Sequence, residues 1–547
     1  MTALLTDILR SRAHDTPHAR AYVFLDTTGD EAEVLTYHRL HRRAVDVAIS
    51  LRTQCRPGER ALLLFGPGLD FIVAYFGCLY AGVIAVPVNP PRPGRPHDAT
   101  NSIVVDCAPS IVLSDAPTRS ATEDELGAVT GELVWMTVDE TPERGDVEFA
   151  PPAQESTAFL QYTSGSTSRP KGVRVTHRNL IANQRMIAAA FGHDRHSTFV
   201  GWAPLFHDQG LIGNVLQPLY LGTTSILMSP WTFIRRPLLW PLTVSKYRAH
   251  TSGGPNFAFD ACVAHAERCP IPVDLDLASW QVAFNGAEPI RADTIERFVS
   301  TFAPYGFRPS AMYPCYGLAE ATLFVAGSVK GRGPRKLTVD ADELTRGRLT
   351  PAADAPSRTV VGSGVPATDG KVRIVDPSSA ESLEDNMIGE IRVSGPHVSP
   401  GYWGHSETGK ELCTGDLGAV VEGELYVVGR IKDVIIVRGK NYYPHDIENT
   451  VRIHVGGPKS LTCAAFAIAD AQGIDKLVIV AETSTDHKVN PPAVREAVTR
   501  EHGLTVSELV LTDTRLQKTS SGKLMRAAAK ARYLRGDFVL EVQHEHR

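Results

Sequence analysis

The stretch YTSGSTSRPKG, residues 162–172, carries the most information about fold and chemistry. It follows a strand candidate at Ala158–Tyr162 and precedes a helix candidate at His177–Phe191. Hydroxyl and backbone N–H groups in such a loop can surround phosphate oxygens, and Lys171 adds a positive charge. The Walker pattern does not match, because Gly172 follows the lysine where that pattern has Ser or Thr. Taken alone, the stretch is also consistent with a flexible connection.

Strand-like and helix-like segments alternate around this loop. Further strand candidates are Ala61–Phe65, Val83–Val88, Glu132–Val138, Thr198–Trp202, Ser225–Met228 and Trp280–Phe284. Further helix candidates are a segment capped by Thr36 that carries Leu40 to Leu51, the segment 70–81, and Ala292–Phe302. The alternation favours an α/β fold with helices packed on sheets.

The pattern changes twice in the last third of the chain. Residues 327–364 are rich in Gly, Pro, Arg, Asp and Thr and predict a surface insertion with a short helix around Asp340–Thr345. Short strands are then predicted at Lys371–Val375, Glu390–Val393 and Glu424–Val428, as in a small β-rich subdomain. After Arg430 come strand candidates at Val434–Val437, Ala464–Ala469 and Lys476–Ala481 and helices near 445–454 and 491–502. We therefore predict an N-terminal domain over 1–430 and a C-terminal domain over 431–547.

The composition is that of a soluble globular protein. Of 547 residues, 43% are hydrophobic and 21% charged, and the net charge of −5 argues against nucleic-acid binding through overall positive charge. The eight cysteines show no C-x-x-C spacing, which indicates reduced thiols in a cytosolic protein and gives no case for zinc. Residues 1–20 carry several charged side chains and lack an uninterrupted apolar core, so we expect no secretory signal in them. The uncharged stretch Phe71–Pro91 is interrupted by prolines and glycines, so we expect a buried helix and strand there and no membrane span.

Several further stretches combine polar or charged side chains with glycine turns. They are APLFHDQGLIG (203–213), TSGGPNFA (251–258), FNGAEP (284–289), YGLAEAT (316–322), TGDLG (414–418), GRIKDVIIVRGKNYYP (429–444) and KTSSGKLMR (518–526). Each has an ordinary interpretation when taken singly. A histidine in a turn, a glutamate at a helix start or a lysine near the C-terminus is usually solvated.

Together with residues 162–172, these stretches resemble the motifs of the adenylate-forming superfamily, in the same order. That superfamily contains acyl-CoA synthetases, nonribosomal adenylation domains, luciferases and fatty acyl-AMP ligases. The resemblance covers about residues 1–530, with one departure at Ser168, where the family usually has glycine. It implies a large N-terminal domain of packed α/β sheets with a small β-rich subdomain, hinged to a small mobile α+β C-terminal domain.

The resemblance also implies a set of site residues. The implied catalytic residues are Lys523, His207 and Glu320, and the implied hinge is Lys432. The implied ATP- and AMP-binding residues are Thr163, Ser164, Gly165, Ser166, Thr167, Lys171, Gly286, Ala287, Glu288, Pro289, Tyr316, Gly317, Asp416 and Arg430. The implied acyl pocket contains Ser252, Gly253, Gly254, Pro255 and Asn256. The implied cofactors are ATP and Mg²⁺, with Glu320 and Thr163 as metal-binding residues.

The branch most resembled is that of the fatty acyl-AMP ligases, on the evidence of Thr251–Ala258, Leu318–Thr322, Asn441–Pro444 and the insertion. Such enzymes activate a fatty acid as acyl-AMP and pass it to the phosphopantetheine thiol of an acyl carrier protein. Three alternatives stay open at this point. They are a long-chain acyl-CoA synthetase, an amino-acid adenylation protein and an inactive nucleotide-binding protein. The basic tail from Lys523 to Arg535 could dock an acidic carrier protein, but a solvated helix face is the preferred interpretation.

Overall fold

The computed structural model describes residues 3–91, 98–130, 133–143, 145, 147–163, 170–352, 356–407, 409–454, 462–469, 475–483, 490–519, 522–538 and 541–544. The α-helices are α1 (Leu5–Asp15), α2 (Tyr37–Arg52), α3 (Asp70–Ala81), α4 (Asp98–Cys107), α5 (Ala116–Thr130), α6 (His177–Phe191), α7 (Gln217–Leu221), α8 (Pro230–Arg235), α9 (Leu239–Lys246), α10 (Asn256–Ala266), α11 (Ala292–Phe302), α12 (Ala341–Thr345), α13 (Pro444–His454), α14 (Pro491–His502) and α15 (Arg526–Arg535).

The strands of the larger part of the chain are β1 (Arg20–Leu25), β2 (Glu31–Thr36), β3 (Arg60–Leu64), β4 (Ile84–Val88), β5 (Ile111–Ser114), β6 (Trp135–Thr137), β7 (Thr157–Thr163), β8 (Lys171–Thr176), β9 (Phe199–Gly201), β10 (Ser225–Met228), β11 (Thr251–Gly254), β12 (Val282–Asn285), β13 (Met312–Gly317), β14 (Phe324–Gly327), β15 (Lys336–Asp340), β16 (Ser357–Val361), β17 (Val365–Pro366), β18 (Lys371–Val375), β19 (Gly389–Ser394), β20 (Leu412–Val421) and β21 (Glu424–Arg430). Those nearer the C-terminus are β22 (Ile435–Val437), β23 (Lys440–Tyr442), β24 (Cys463–Ala469), β25 (Asp475–Glu482), β26 (Val506–Thr512) and β27 (Glu541–His544).

Two large sheets form the centre of the molecule. One has the order β17-β14-β13-β12-β11-β9-β10-β1-β2, and its inner strands from β13 to β1 run parallel. The other has the order β6-β5-β3-β4-β7-β8 and is parallel except at the β7–β8 pair. Helices α2 and α3 pack against each other, with α2 contacting β1 and β2 and α3 contacting β3 and β4. The predicted α/β class is confirmed.

The uncharged stretch that begins at Phe71 is interior structure. Every residue from Phe71 to Ala81 in α3 is buried, and β4 is buried throughout. A Cβ on Gly77 would lie 2.4 Å from Val47 Cγ1, so glycine is what allows α2 and α3 to approach so closely. None of the helices in the described part of the chain combines the length and apolar composition that spanning a bilayer requires.

Two smaller sheets follow in sequence. One is antiparallel with the order β18-β19-β20-β21, and β21 ends at Arg430. The other has the order β24-β25-β26-β27 and forms its own apolar core with α13 and α14. These sheets fit the predicted β-rich subdomain and the predicted C-terminal unit. The boundary near 430 and the mobility of the C-terminal unit remain predictions.

The structure differs from the sequence predictions at two places. Strand β8 lies between the loop 164–169 and α6, so the loop joins two antiparallel strands and does not lead directly into a helix. Within the insertion 327–364, the predicted helix is present as α12, but β15 and β16 also pair, from Lys336 opposite Val361 to Asp340 opposite Ser357. Composition concealed this hairpin because its strands are short and largely polar.

Candidate active site

A cleft of about 3600 Å³ lies at the carboxyl ends of the parallel strands of the first sheet. Carboxyl ends of parallel strands are the usual ligand-binding edge of α/β sheets. Many of the predicted site residues line this cleft: Thr163, Lys171, His207, Gly253, Gly254, Pro255, Asn256, Gly286, Ala287, Glu288, Pro289, Tyr316, Gly317, Glu320, Asp416, Arg430, Lys432 and Lys523. The predicted loop residues Ser164, Gly165, Ser166 and Thr167 lie outside the described residues. Folding therefore gathers side chains that are up to 360 positions apart, from Thr163 to Lys523.

Asp416 is held in a fixed position on β20. Its backbone N–H donates to Thr414 Oγ1 over 3.1 Å, and the preceding Gly415 N–H donates to Glu390 Oε1 over 3.1 Å. Asp416 pairs directly with Arg430 across the β20–β21 ladder. Asp416 is only 5% exposed, so the orientation of its carboxylate is set by neighbouring residues and not by solvent.

Asp416 accepts from two partners. Arg430 Nε lies 2.9 Å from Oδ1, and the Tyr316 hydroxyl donates to Oδ2 over 2.7 Å. The carboxylate of Asp416 raises the pKa of Arg430, so the guanidinium stays charged. Burial, and then the Asp416 charge, raises the pKa of Tyr316 well above its usual value. A carboxylate, a fixed cation and a neutral phenol are thus assembled at one corner of the cleft.

Lys432 follows this corner in a single 3₁₀ turn, Ile431–Asp433. Burial, and then the charge of Arg430, lowers the pKa of Lys432. Two cations held side by side repel each other, and this repulsion is reduced when one of them moves away or meets an anion. Because Arg430 and Lys432 are both exposed to solvent, this repulsion is weak.

A second polar corner joins Lys171 to Glu320 through Tyr402. The Tyr402 hydroxyl donates to Glu320 Oε1 over 2.7 Å, and Lys171 Nζ lies 5.3 Å from the centre of the Tyr402 ring. Tyr402 reaches this position because it forms a bridge with Val173 of β8. Burial, and then the Glu320 charge, raises the pKa of Tyr402, so this phenol remains a donor to the carboxylate.

The backbone around Glu320 is strained. Glu320 lies in a short 3₁₀ helix, Ala319–Ala321, which ends at Thr322 with φ of +67°. A β-branched residue rarely adopts positive φ. The fully buried Thr322 is held there because its hydroxyl donates to the carbonyl of His397 over 2.6 Å. Such strain is typical of positions where the surrounding structure fixes a functional group.

The turn after β12 is fixed by Asn256 at the start of α10. Asn256 Nδ2 donates to the Pro289 carbonyl over 2.9 Å, and its Oδ1 accepts from the Arg291 N–H over 3.1 Å and from Asn285 Nδ2 over 3.3 Å. Ala287 in this turn has φ of +71°, another strained position. Asn256 lines the cleft, as predicted for an acyl-pocket residue, and it also ties two of the quoted stretches together.

The strand that contains the predicted acyl-pocket residues presents two different faces. Gly253 lines the cleft, and a Cβ there would lie 2.1 Å from the Phe284 carbonyl oxygen. Ser252 is fully buried and does not line the cleft. It accepts from Trp240 Nε1 and donates to the Val200 carbonyl, each over 2.6 Å. Because successive side chains of a strand point to opposite faces, Ser252 lies behind the cleft wall.

His207 lies in the turn that leads into a π-helical segment, Gln209–Leu216. Its backbone N–H donates to the Pro204 carbonyl, and Gln161 Nε2 donates to the Phe206 carbonyl over 3.0 Å. The ring packs at an angle against Phe206, with 4.7 Å between centroids. Gln161 of β7 thus ties the His207 turn to the strand that precedes the phosphate loop.

Lys523 is exposed to the cleft from a C-terminal turn. Its backbone N–H donates to Thr519 Oγ1 over 3.1 Å, and its carbonyl accepts from the Thr519 N–H over 2.8 Å. The neighbouring Gly522 approaches the Phe257 ring of α10, since a Cβ there would lie 3.3 Å from Phe257 Cε1. The turn carrying Lys523 is therefore packed against Phe257 of α10, which also lines the cleft.

Arg526 anchors this turn to the start of the C-terminal unit. Its guanidinium forms a bidentate pair with Glu448 of α13, both contacts being 2.7 Å, and it lies 3.6 Å from Asp433. These carboxylates raise the pKa of Arg526 despite its burial. A bidentate arginine–carboxylate pair fixes direction as well as distance. One side chain thus connects the predicted hinge segment, through Asp433, with the turn that carries Lys523.

The sequence analysis missed Tyr402 and the anchoring pair Arg526–Glu448. Tyr402 follows a glycine in a stretch that matches no recognised motif. Only its long-range bridge to Val173 of β8 shows that it lies beside Lys171 and Glu320. Arg526 ends a quoted stretch, and its charge alone did not distinguish it from other basic residues near the C-terminus.

The residues present fit both ATP and Mg²⁺. No group of three or more His, Cys, Asp and Glu residues is placed to hold a metal ion within the described ranges. Mg²⁺ bound to a triphosphate needs only one or two protein carboxylates, because phosphate oxygens and waters complete the shell. Glu320 places one carboxylate in the cleft that Lys171 also lines, which is enough for such a site.

Comparisons with known proteins agree with this geometry. A model of the family described as AMP-binding enzyme matches residues 9–403. The chain therefore belongs to the AMP-binding enzyme family. It is 40% identical to the medium-chain-fatty-acid–[acyl-carrier-protein] ligase JamA of Moorena producens, over 97% of this chain and 95% of that one.

Two further similarities indicate which branch of the family the chain resembles. The chain is 35% identical to a 4-hydroxyphenylalkanoate adenylyltransferase of Mycobacterium marinum, over 98% of this chain and 92% of that one. It also matches the crystal structure of a fatty acyl-adenylate ligase from L. pneumophila in complex with acyl adenylate and pyrophosphate. That match has a TM-score of 0.74 and 36% identity and covers 99% of this chain and 98% of the other. The predicted resemblance to fatty acyl-AMP ligases is confirmed.

Proposed function

We propose that this enzyme uses ATP to convert a fatty acid to acyl-AMP with release of pyrophosphate, and then transfers the acyl group to the phosphopantetheine thiol of an acyl carrier protein. The observation that carries the proposal is that Lys523, from the C-terminal turn, lines the same cleft as Asp416 and the glycine-containing wall of β11. Its similarity to proteins named as fatty acid–acyl carrier protein ligases supports the same reaction.

The first step brings two anions together. The carboxylate oxygen of the fatty acid attacks the α-phosphorus of ATP, a new P–O bond forms, and the bond to pyrophosphate breaks. Two unit charges about 4 Å apart repel by roughly 4 kcal/mol at an effective dielectric constant near 20. A lysine at the position of Lys523 offsets this repulsion by donating to both oxygens. No nucleophilic side chain is required, because the substrate supplies the nucleophile.

Negative charge accumulates on the leaving pyrophosphate. We assign its stabilisation to Lys171 and to the loop Ser164, Gly165, Ser166 and Thr167, with Thr163 and Glu320 holding Mg²⁺. When bound, Mg²⁺ would neutralise charge on the phosphate oxygens. The Tyr402 hydrogen bond orients the Glu320 carboxylate for this role.

The nucleoside would occupy the corner built by Asp416. Its carboxylate can accept from ribose hydroxyls, Arg430 lies beside it, and the ring of Tyr316 offers a face to adenine. The strained turn Gly286, Ala287, Glu288 and Pro289 would lie along the base, with its backbone fixed by Asn256. His207 would lie beside the reacting carboxylate. Holding the fatty acid and ATP in fixed positions supplies much of the rate acceleration, because the reacting atoms then stay aligned.

For the second step we propose that the domain 431–547 rotates about Lys432 relative to the domain 1–430. Rotation would withdraw Lys523 and admit the thiol, which attacks the acyl carbonyl and releases AMP. Contacts across the boundary favour the present arrangement, with Lys523 in the cleft. Arg526 would move together with Lys523, because it pairs with Glu448 inside the C-terminal unit.

The insertion 327–364 contacts the C-terminal unit directly. Arg358 of β16 donates to the Glu501 carbonyl and lies 3.2 Å from His502 Nδ1, and Lys440 Nζ lies 2.8 Å from Asp342 Oδ1 of α12. We propose that these contacts restrain rotation and disfavour free CoA as acceptor. The alternative enzyme, an acyl-CoA synthetase, would lack such a restraint.

The proposal is tested by measuring pyrophosphate release from ATP with fatty acids of graded length, followed by acyl transfer to CoA or to a holo carrier protein. Acid-dependent release with transfer to the carrier protein is the expected result. Absence of release with every acid would refute the activity, and preferential acyl-CoA formation would identify a synthetase.

The role of the insertion is tested separately. Shortening residues 330–355, or combining Arg358→Met with Lys440→Met, should raise the ratio of CoA to carrier-protein transfer. Arg348→Met, an exposed arginine of the same insertion, is the matched control. An unchanged ratio in both test variants would contradict a restraining role.

A further inference from the structure

A partly buried hydrogen-bonded cluster, centred on the buried Thr251, adjoins the predicted acyl side of the cleft at the amino end of β11. Thr251 Oγ1 lies 2.8 Å from His193 Nε2 and 2.8 Å from His250 Nδ1. Behind them, Lys330 Nζ lies 2.8 Å from His250 Nε2 and donates to the Gly192 carbonyl over 3.0 Å. The residues come from three separate parts of the chain, and none of the predicted site residues is among them.

The donors and acceptors of this cluster can be assigned from the lysine inward. The ammonium of Lys330 can only donate, so His250 Nε2 accepts and the proton of His250 is on Nδ1. His250 Nδ1 therefore donates to Thr251 Oγ1. Both histidines are neutral, because burial lowers the pKa of His250 to about 4 and that of His193 well below its ordinary value. The hydroxyl proton of Thr251 is then left to donate to His193 Nε2.

Gln217 completes the sequence of hydrogen bonds. His193 Nε2 accepts from Thr251, so the proton of the neutral His193 ring is on Nδ1. That Nδ1 atom lies 3.4 Å from Gln217 Nε2. As placed, Gln217 Nε2 faces His193 and Gln217 Oε1 is buried without a hydrogen-bond partner in the part of the chain that the structure describes. The orientation of a side-chain amide is an assignment, and with its oxygen and nitrogen exchanged Oε1 accepts from His193 Nδ1. One consistent proton arrangement thus runs from Lys330 to Gln217.

Thr251 and His193 line the cleft. Thr251 precedes Gly254 by three positions on β11, so it lies about 10 Å farther from the nucleotide end of the strand. Between them, Gly253 shares the cleft-facing side with Thr251, and the Phe284 ring, which also lines the cleft, packs against it, since a Cβ on Gly253 would lie 2.4 Å from Phe284 Cγ. The neighbouring wall is apolar, since Phe191 and Phe199 pack against the His193 ring at 5.2 and 4.9 Å. Thr251 and His193 are therefore a polar site in an otherwise apolar wall.

We propose that Thr251, held by His193 and His250, forms a subsite for a hydroxyl group on the distal part of the acyl chain, so that the preferred substrates are hydroxy-substituted fatty acids. This proposal rests on the proposed function and names its substrate class. A threonine hydroxyl has one proton to donate and two positions to accept. The proton goes to His193 and one position accepts from His250, which leaves one position for the hydroxyl proton of a substrate.

A purely structural role would give the same contacts but a different selectivity. If the cluster served only to join β11 to the start of the insertion at Lys330, acids with and without the hydroxyl would be activated alike. If it is a subsite, the hydroxy acid gains a hydrogen bond that the plain acid lacks, an advantage of about fivefold to tenfold in kcat/KM.

The experiment compares acid-dependent pyrophosphate release for 8-hydroxyoctanoic and 10-hydroxydecanoic acids with octanoic and decanoic acids. The wild-type enzyme should favour at least one hydroxy acid over the plain acid of equal length. In Thr251→Val, which removes the hydroxyl at nearly constant volume, this preference should disappear. Thr251→Ser, which keeps the hydroxyl, should restore it.

Thr243→Val is the matched control, because its buried hydroxyl donates to the Leu239 carbonyl in α9 and does not line the cleft. It should retain the wild-type preference. A wild-type enzyme that releases pyrophosphate with plain acids but shows no preference for a hydroxy acid overturns the subsite, as does a preference that survives Thr251→Val. Absence of release with all four acids and the graded series refutes the proposed function instead.

Discussion

Arg452 of α13 and Asp293 of α11 form an ion pair across the predicted domain boundary, with Nη2 2.5 Å from Oδ2. Arg452 also contacts Asn449 Oδ1 on its own helix at 2.7 Å. Burial raises the pKa of the Asp293 carboxyl, but the hydrogen bond and the charge of Arg452 outweigh this effect, so the pKa is lowered. The pair therefore favours the arrangement in which Lys523 lines the cleft.

Asp293→Asn should reduce the rate of acyl-AMP formation several-fold and leave the transfer step from preformed acyl-AMP unchanged. The reason is that loss of a partly buried charge pair lowers the population of the arrangement that adenylation requires. Single-turnover assays of each step check this. Asp276→Asn, at an exposed pair with Arg248, is the control. Equal slowing of both steps would argue against a role in domain arrangement.

Lys523→Ala should lower the rate of acyl-AMP formation at least a hundredfold while the fold remains intact. The lost cation is the group that we expect to offset repulsion between the carboxylate and the α-phosphate. Pyrophosphate release and thermal unfolding are the two measurements. Lys530→Ala in α15 provides the control for loss of a basic residue nearby. Near-normal acyl-AMP formation by Lys523→Ala would refute this mechanism.

Asp416→Asn should raise the KM for ATP about tenfold to a hundredfold, since a charge-assisted hydrogen bond contributes roughly 1.5–3 kcal/mol. Arg430 and Tyr316 would also lose their common partner. Tyr316→Phe removes only the phenol hydrogen bond and should give a smaller increase. The KM for the fatty acid should hardly change. A larger effect on the fatty acid than on ATP would contradict the assignment of this corner to the nucleotide.

Stability should fall as the pH falls from about 6.5 towards 4, partly because of His397. Burial lowers the pKa of this fully buried side chain to about 4. The unfolded state, with a histidine pKa near 6.5, therefore binds the proton more readily below that pH. At pH 5 the loss in unfolding free energy from this one group is about 2 kcal/mol.

The check is urea unfolding of His397→Phe and wild type at pH 7.5 and pH 5. The variant should lose less stability than wild type between these two conditions. His405→Phe, at an exposed histidine, should behave like wild type. An identical pH dependence for His397→Phe and wild type would contradict the assignment.

The sequence predicted the elements that local physics determines. The limits of α3, α6, α11 and α14 match the predictions. Glycines end α3, α6 and α14, side-chain caps begin α6 and α14, and α11 is marked by its apolar spacing alone. Thr36 caps α2 through a hydrogen bond from the Arg39 N–H, as its position before the helix predicted. The resemblance placed side chains from distant motifs in one cleft, and the structure brings them to it.

Other features depend on pairings that no short window contains. The short strand Thr251–Gly254 has no alternation of polar and apolar residues that shows which side chains face the cleft. The resemblance therefore places Ser252 in the acyl pocket, although its side chain faces the opposite side of the sheet. Tyr402 reaches Lys171 only through its bridge to Val173. The contact between His193 and Thr251 joins residues 58 positions apart, and His193 belongs to none of the stretches that the sequence analysis singled out.

The most direct test of the central claim is acyl transfer by the full-length enzyme, supplied with ATP, Mg²⁺ and a fatty acid that supports pyrophosphate release, to equal concentrations of CoA and a holo carrier protein. The account predicts acyl-AMP as an intermediate and the acylated carrier protein as the main product. Accumulation of acyl-CoA in preference to the acylated carrier protein, or no acyl-AMP with any acid, would contradict it.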